Sequence, residues 1–427
     1  MHAVFWTKFL LANIALLASL YFIYAKAAIL ERSPRLFIVG YYLFRIAVLA
    51  LLFLGLGFKY AGENTTLYVY YGNLVLHGYV PNRDFYVLYG ILFSYLLAAA
   101  LVIWHHPFSL YLLFQLIEFA AVYAIFTQKN SPLPLQSFLR YAFNPIILVW
   151  MWLGLQNQAM CLVPVAAVYL FRSEARRSLF FAIGFAISKI FALWTIIPAL
   201  ALQRARSILL FVLVLGAIYL PFLLVGSHGI SFLATEANGR ISDDAHGSGI
   251  ESLVGLIPSE PRQIVVGHLV LLITGALLLL VILGCFLLRL RIGTRKVSDL
   301  SFEQKLLFTA IPAVLMMLIY QAFASYTAPD YLATAVAFVP VLTKFRFWSA
   351  IDQVLFAIMC YFQAVIYLFW FHFQEFGIAD ARHSGIFVLL LVLGNLFTIG
   401  FLGRHAWKTW IFFVRPGAGL RELSPEG

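Results

Sequence analysis

Long apolar runs broken by short polar turns repeat along the whole chain. Thirteen can be delimited: roughly 4–25, 36–57, 108–127, 138–153, 159–171, 178–190, 191–202, 207–225, 264–288, 303–321, 331–343, 347–371 and 385–403. A helix needs about 20 apolar residues to cross a hydrocarbon core. Many of the runs reach that length and a few are shorter. The pattern predicts an all-α, polytopic integral membrane bundle of about 13 spans, built as one domain over residues 1–427. The alternating short strands of an outer-membrane barrel are absent.

Two polar stretches stand out. The first outer loop, 59–106, contains GENTTLYVYYGNLVLHGYVPNRDFYVLYG from Gly62 to Gly90. Its end, 88–105, is apolar and nearly long enough to cross, but runs into His105-His106-Pro107. A crossing there would invert every later loop, so the loop is read as carrying interfacial or half-inserted helices. The second stretch, 227–263, is rich in Gly, Ser and acids. A loop that long between spans is functional or mobile. Residues 404–427 read as a solvated tail. No internal repeat is visible, which weakens a transporter reading.

Composition supports a lipid solvent. The 427 residues are 63% hydrophobic, 17% aromatic and 11% charged, where a soluble domain averages about 25% charged. The net charge of +11 sits in short turns, as membrane topology requires, and not on a nucleic-acid-binding face. With Glu63 placed outside, 21 of the 29 Lys and Arg fall in inner loops and the tail, seven fall outside, and Arg45 lies mid-span. The positive-inside rule then puts the N-terminus outside and the C-terminus in the cytoplasm. The expected location is a bacterial inner or plasma membrane, with the active site extracytoplasmic. The first apolar run is read as an uncleaved anchor. Cys161, Cys285 and Cys360 fall inside apolar runs and read as packing residues.

Five blocks follow one another along the chain. The first holds Glu63, Tyr68, Gly78, Pro81, Arg83, Asp84 and Phe85, then Tyr89-Gly90. The second is Asn144-Pro145 with Gly154 to Gln158. The third is a basic turn, Arg172 to Arg177, a small-residue span, Lys189 and Pro198. The fourth is Ser248 to Leu253, and the last is Pro329-Asp330-Tyr331-Leu332. In this order they resemble the GT-C superfamily of polytopic glycosyltransferases, nearest to the polyprenol-phosphate-mannose-dependent mannosyltransferases. The resemblance covers most of the chain, through motifs that are individually short. Two positions depart from it: Gln158 stands where Asp is usual, and Glu63 where Asp is commoner. The resemblance implies transfer of a hexose such as mannose from a polyprenyl-phosphate donor to a lipid- or glycan-linked acceptor. It also implies inversion at the anomeric carbon, with no nucleotide sugar and no cofactor. Arg83, Tyr89, Gln158, Asp330 and Tyr331 would then contact substrate.

The residues can also be read on their own. Glycosyl transfer needs a base for the acceptor hydroxyl. Glu63 directly follows a span, which would fix its height; the plainer alternative is a solvated surface Glu. Asp84 is either a helix cap for a helix starting near Phe85 or a second carboxylate assisting the base. Lys189 lies between two short apolar runs, where a charge is costly. It either snorkels to water or meets an anion such as a lipid phosphate, and the phosphate reading is preferred. Arg240 and Arg262 are weaker candidates for the same phosphate. Arg45 and Glu118 each lie nine residues from the inner end of a span, roughly 13–14 Å deep, so a buried ion pair is expected. The tyrosines of the first loop form an interfacial belt. His77, His228 and His246 lack ligand spacing, so no metal site is expected. Two other functional readings stay open: a transporter or flippase for lipid-linked glycans, and an inactive accessory subunit.

Overall fold

A computed structural model describes residues 2–25, 33–55, 63–128, 134–152, 157–228, 253, 260–292, 300–323, 329–372 and 384–414. Among them the structure is helical, with one isolated bridge between Pro81 and Phe85. In chain order the helices are α1 His2–Tyr24, α2 Arg35–Ala50, α3 Glu63–Leu76, α4 Phe93–Ile103, α5 Phe108–Phe126, α6 Pro134–Ala142, α7 Leu162–Leu170, α8 Glu174–Ile187, α9 Leu193–Ala201 and α10 Ala205–Leu224. Five more follow: α11 Glu260–Ile292, α12 Phe302–Phe323, α13 Ala333–Lys344, α14 Ala350–His372 and α15 Gly385–Val414.

Eight helices among the described residues are long and apolar enough to cross a membrane: α1, α2, α5, α10, α11, α12, α14 and α15. Each coincides with a run predicted from hydropathy. The other five predicted runs form short or broken helices. Run 138–153 becomes α6 and a π-helical stretch, Ile147–Trp152. Run 331–343 becomes a 3₁₀ turn, Pro329–Leu332, followed by α13. The chain is thus a multi-pass membrane protein with eight long helices and a set of short ones packed among them. Helix α4, at 11 residues, spans about 16 Å, half of a hydrocarbon core of about 30 Å. It packs closely on α3 at Gly72, where a Cβ would stand 2.6 Å from Leu101 Cδ1 and would displace that side chain.

Helix α12 is the axis of the bundle, with 94% of its apolar window buried, whereas α10 and α11 each bury 17% of theirs. The first packs against protein on all sides, and the other two present most of their surface outward. The predicted mid-membrane pair is formed. Arg45 donates from Nη1 and Nη2 to the two Glu118 oxygens at 2.9 and 3.1 Å, and Tyr141 OH adds a third bond at 3.1 Å. Both charges are buried.

Residues of the predicted inner loops meet one another at one end of the bundle. At the basic end Lys305 pairs with Glu174 and Lys344 with Glu303, at 3.2 and 2.8 Å. Arg140 donates to Phe22 O and Gln353 Oε1 there. Asp352 accepts from Arg404 and Lys408. Those two bonds lie within 404–414, which continues α15 as helix. The segment is not the solvated tail that its charges suggest: a carboxylate on α14, distant in sequence, holds it to the bundle. Residues 415–427 lie outside the described residues.

Candidate active site

The site is built at the end of the bundle opposite those basic residues. Helix α8 stops at Ser188, whose backbone is extended (φ −115°, ψ −174°), and Lys189 follows before the 3₁₀ turn Ile190–Ala192. The first loop docks on this break. Gly90 N–H bonds Ser188 O at 2.8 Å, and Leu92 N–H bonds Ala186 O at 2.9 Å. Only glycine fits at position 90, since a Cβ would stand 2.4 Å from Ala186 O. This close approach brings Tyr89 over Lys189, with the ammonium 5.0 Å from the ring centroid.

Lys189 is buried and also lies 5.4 Å from the Tyr331 ring centroid, donating to Tyr331 OH at 3.3 Å. Tyr331 stacks on Phe191 with centroids 3.9 Å apart. Tyr68 of α3 shares a hydrogen bond with Tyr89, OH to OH, at 3.2 Å. The Lys189 ammonium is thus held against the faces of two tyrosines, from the first loop and from the Pro329–Leu332 turn.

Asp330 completes the cluster. It is fully buried, and neither oxygen has a hydrogen-bond partner among the described residues. It sits outside the eight long helices. Burial pushes its carboxyl up to about 7, with the Lys189 charge pulling the other way. A buried carboxylate is normally hydrogen-bonded or paired, so this one is equipped to receive a donor. Gln158 is buried in the Asn157–Cys161 turn, and its Oε1 also lacks a donor. Cys161 of the same turn feels both Lys189 and Asp330 electrostatically, which puts that turn beside the cluster.

Lys189, Tyr89, Asp330 and Tyr331 therefore converge from three distant segments, with the turn of Gln158 adjoining. Arg83 and Asp84 have no described contact with them. Asp84 is not a helix cap, because no helix begins near Phe85 and α4 starts only at Phe93. Its carboxylate accepts Val80 N–H at 2.7 Å and Arg83 Nε and Nη2 at 2.9 and 2.7 Å. The Arg83 guanidinium and the Val80 N–H hold this exposed group below its ordinary pKa. The turn itself is tied to the end of α10 by Ser227 Oγ to Pro81 O and His228 N–H to Asn82 O. Asn82 carries the turn's left-handed residue (φ 57°) and caps Val87 N–H with Oδ1.

Glu63 opens α3, five residues before Tyr68, so its backbone is about 7–8 Å along the axis from that tyrosine. The Glu63 side chain and Arg240 lie outside the described residues. Arg262 is exposed on α11 and has no described contact with the cluster. Three further aromatics were not anticipated: Phe191 and Tyr320 flank Tyr331, with ring centroids 3.9 and 6.1 Å from its own, and Trp194 lies behind Tyr320 at 6.1 Å. In sequence they sit in apolar runs, where an aromatic that lines a site reads the same as one that faces lipid. Comparison of the chain with family models, with curated proteins and with solved structures gives no match.

Proposed function

We propose that this chain is a membrane glycosyltransferase that moves a hexose from a polyprenyl phosphate to a lipid- or glycan-linked acceptor. The observation that carries the reading is the buried cluster of Lys189, Tyr89, Tyr331 and Asp330, which sets a cation on aromatic walls beside an unsatisfied carboxyl. Lys189 binds the donor phosphate, and the aromatic faces offer stacking surface to a sugar. Asp330 accepts a hydrogen bond from a substrate hydroxyl, with Gln158 at the edge. In the reaction the acceptor oxygen attacks the anomeric carbon, the bond from that carbon to the phosphate oxygen breaks, and the polyprenyl phosphate leaves with the electron pair. Glu63 takes the acceptor proton. Its placement at the start of the helix that carries Tyr68 supports this role. Asp84, exposed and held by Arg83, is the weaker second carboxylate. The bias of basic residues towards the other end supports an extracytoplasmic location for this chemistry.

A flippase needs charged groups along its path. The described mid-membrane charges, Arg45 and Glu118, bind one another instead, which favours the enzyme. The test is transfer of radiolabelled hexose from a polyprenyl-phosphate donor into lipid or glycan by the purified protein in nanodiscs. Glu63→Gln should lower turnover about 10²–10⁴-fold with donor binding retained. Lys189→Met should weaken donor binding more than acceptor binding, and Lys189→Arg should keep part of the activity. Full turnover by Glu63→Gln removes that residue from the mechanism, and unchanged donor affinity in Lys189→Met removes the phosphate site.

A further inference from the structure

An open cavity of about 640 Å³ lies at the opposite, basic end, where the N-termini of α8 and α10 meet α12. Arg172, Arg204 and Arg206 line it. The carboxylate in the same cavity, Glu174, is already engaged: it accepts Lys305 Nζ at 3.2 Å, Arg204 N–H at 3.0 Å and Ser207 Oγ at 3.2 Å. That network cancels Lys305 against Glu174. Among the described residues the three arginine side chains form no ion pair; Arg172 only lies over the Phe302 ring, 5.8 Å from its centroid. The cavity therefore keeps an excess of three positive charges.

Its floor is apolar and faces outward. Leu209, Leu210 and Leu213 line it together with Arg206. Spacings of three, four and seven residues set these four side chains on one face of α10. Leu209 and Leu213 are 58% and 60% exposed, on a helix that buries 17% of its apolar window. From Arg206 to Leu213 the helix descends about 10 Å. Guanidinium groups thus stand above a leucine strip, in the vertical order of a phospholipid's headgroup and acyl chain. Arginine also suits a phosphate geometrically, through its fork of N–H donors.

We infer that this cavity is a binding site for an anionic glycerophospholipid, whose phosphate sits among Arg172, Arg204 and Arg206 while an acyl chain lies along Leu209 and Leu213. Basic pockets between membrane helices take acidic headgroups for the same electrostatic reason. The site is separate from the Lys189 cluster and does not depend on the chemistry proposed there.

Native mass spectrometry of the full chain, released from detergent with phosphatidylglycerol or phosphatidylcholine added, tests the assignment. The unaltered protein should hold phosphatidylglycerol in clear preference. Each single Arg→Gln change at 172, 204 or 206 should weaken it about fivefold, and the triple change about a hundredfold. Arg→Lys changes should keep part of the preference. Arg346→Gln, an exposed arginine elsewhere at this end, should leave binding unchanged. Equal retention of the two lipids by the unaltered protein would overturn the site, as would phosphatidylglycerol binding that survives in all the Gln variants. Displacement of the lipid by millimolar inorganic phosphate would reassign the cavity to a free anion and overturn the lipid.

Discussion

Two buried carboxyls in this bundle are treated in opposite ways. Glu118, in the middle of α5, has both oxygens filled by the Arg45 guanidinium and a third bond from Tyr141. Asp330 is as deeply buried and has a cation beside it, yet neither oxygen is hydrogen-bonded among the described residues. A carboxylate whose oxygens are both filled joins helices in a low-dielectric interior and leaves little acceptor capacity for a ligand. An unsatisfied carboxyl costs stability unless something else meets it. The first is architecture; the second is where a substrate is expected. Position separates them as well, since Glu118 lies mid-span and Asp330 where a 3₁₀ turn leads into α13 at the end of the bundle.

The sharpest way to break that contrast is to remove one partner from each. Glu118→Gln or Arg45→Met should destabilise the protein by roughly 3–5 kcal/mol by stranding the other group. Thermal unfolding in detergent would measure it. The exchange Arg45→Glu with Glu118→Arg should recover part of the loss, and equal damage in the exchange would show that packing, not charge, was lost.

Asp330→Asn should behave differently. Activity should fall about 10–100-fold, as for loss of a charged hydrogen bond to substrate of roughly 1.5–3 kcal/mol, while stability above neutral pH is kept. The pH dependence has a definite sign. Burial lifts this carboxyl from 3.8 to about 7 against the pull of Lys189. A carboxyl raised in the folded state favours folding fully below its unfolded pKa and loses that contribution as pH rises through the folded one. Stability should therefore decline between about pH 4 and 7 in the unaltered protein, and Asp330→Asn should remove that part of the decline. A variant as destabilised as Glu118→Gln would make Asp330 structural as well.

Gly90→Ala sharpens the contrast from the backbone side. Its Cβ would meet the Ala186 carbonyl at 2.4 Å, and relief by movement should cost about 1–3 kcal/mol. Tyr89 would then withdraw from Lys189, so donor binding should weaken while the Arg45–Glu118 region is untouched. Normal donor affinity in this variant would show that Tyr89 has no part in holding the cation.

The eight long helices were legible because a bilayer imposes a length: apolar runs near 20 residues have one stable outcome there. The Arg45–Glu118 pair was legible for a related reason, since matching depth and opposite sign leave a buried charge few partners. The short runs were harder. Hydropathy separates apolar from polar but does not tell a full crossing from a short helix packed inside protein, so 138–153 and 331–343 emerged broken. Within the candidate site, Lys189 could be singled out as a charge between apolar runs, and Tyr89, Asp330 and Tyr331 through the family resemblance of the motifs around them. Their meeting was decided by tertiary structure, through a backbone approach at Gly90 that a linear pattern does not encode. The engagement of Asp84 by Arg83, the fixing of residues 404–414 by Asp352, and the placing of Phe191, Trp194 and Tyr320 were decided in the same way. Each depends on which segment lies beside which, and one strand of sequence fixes residue chemistry and span length but not neighbours.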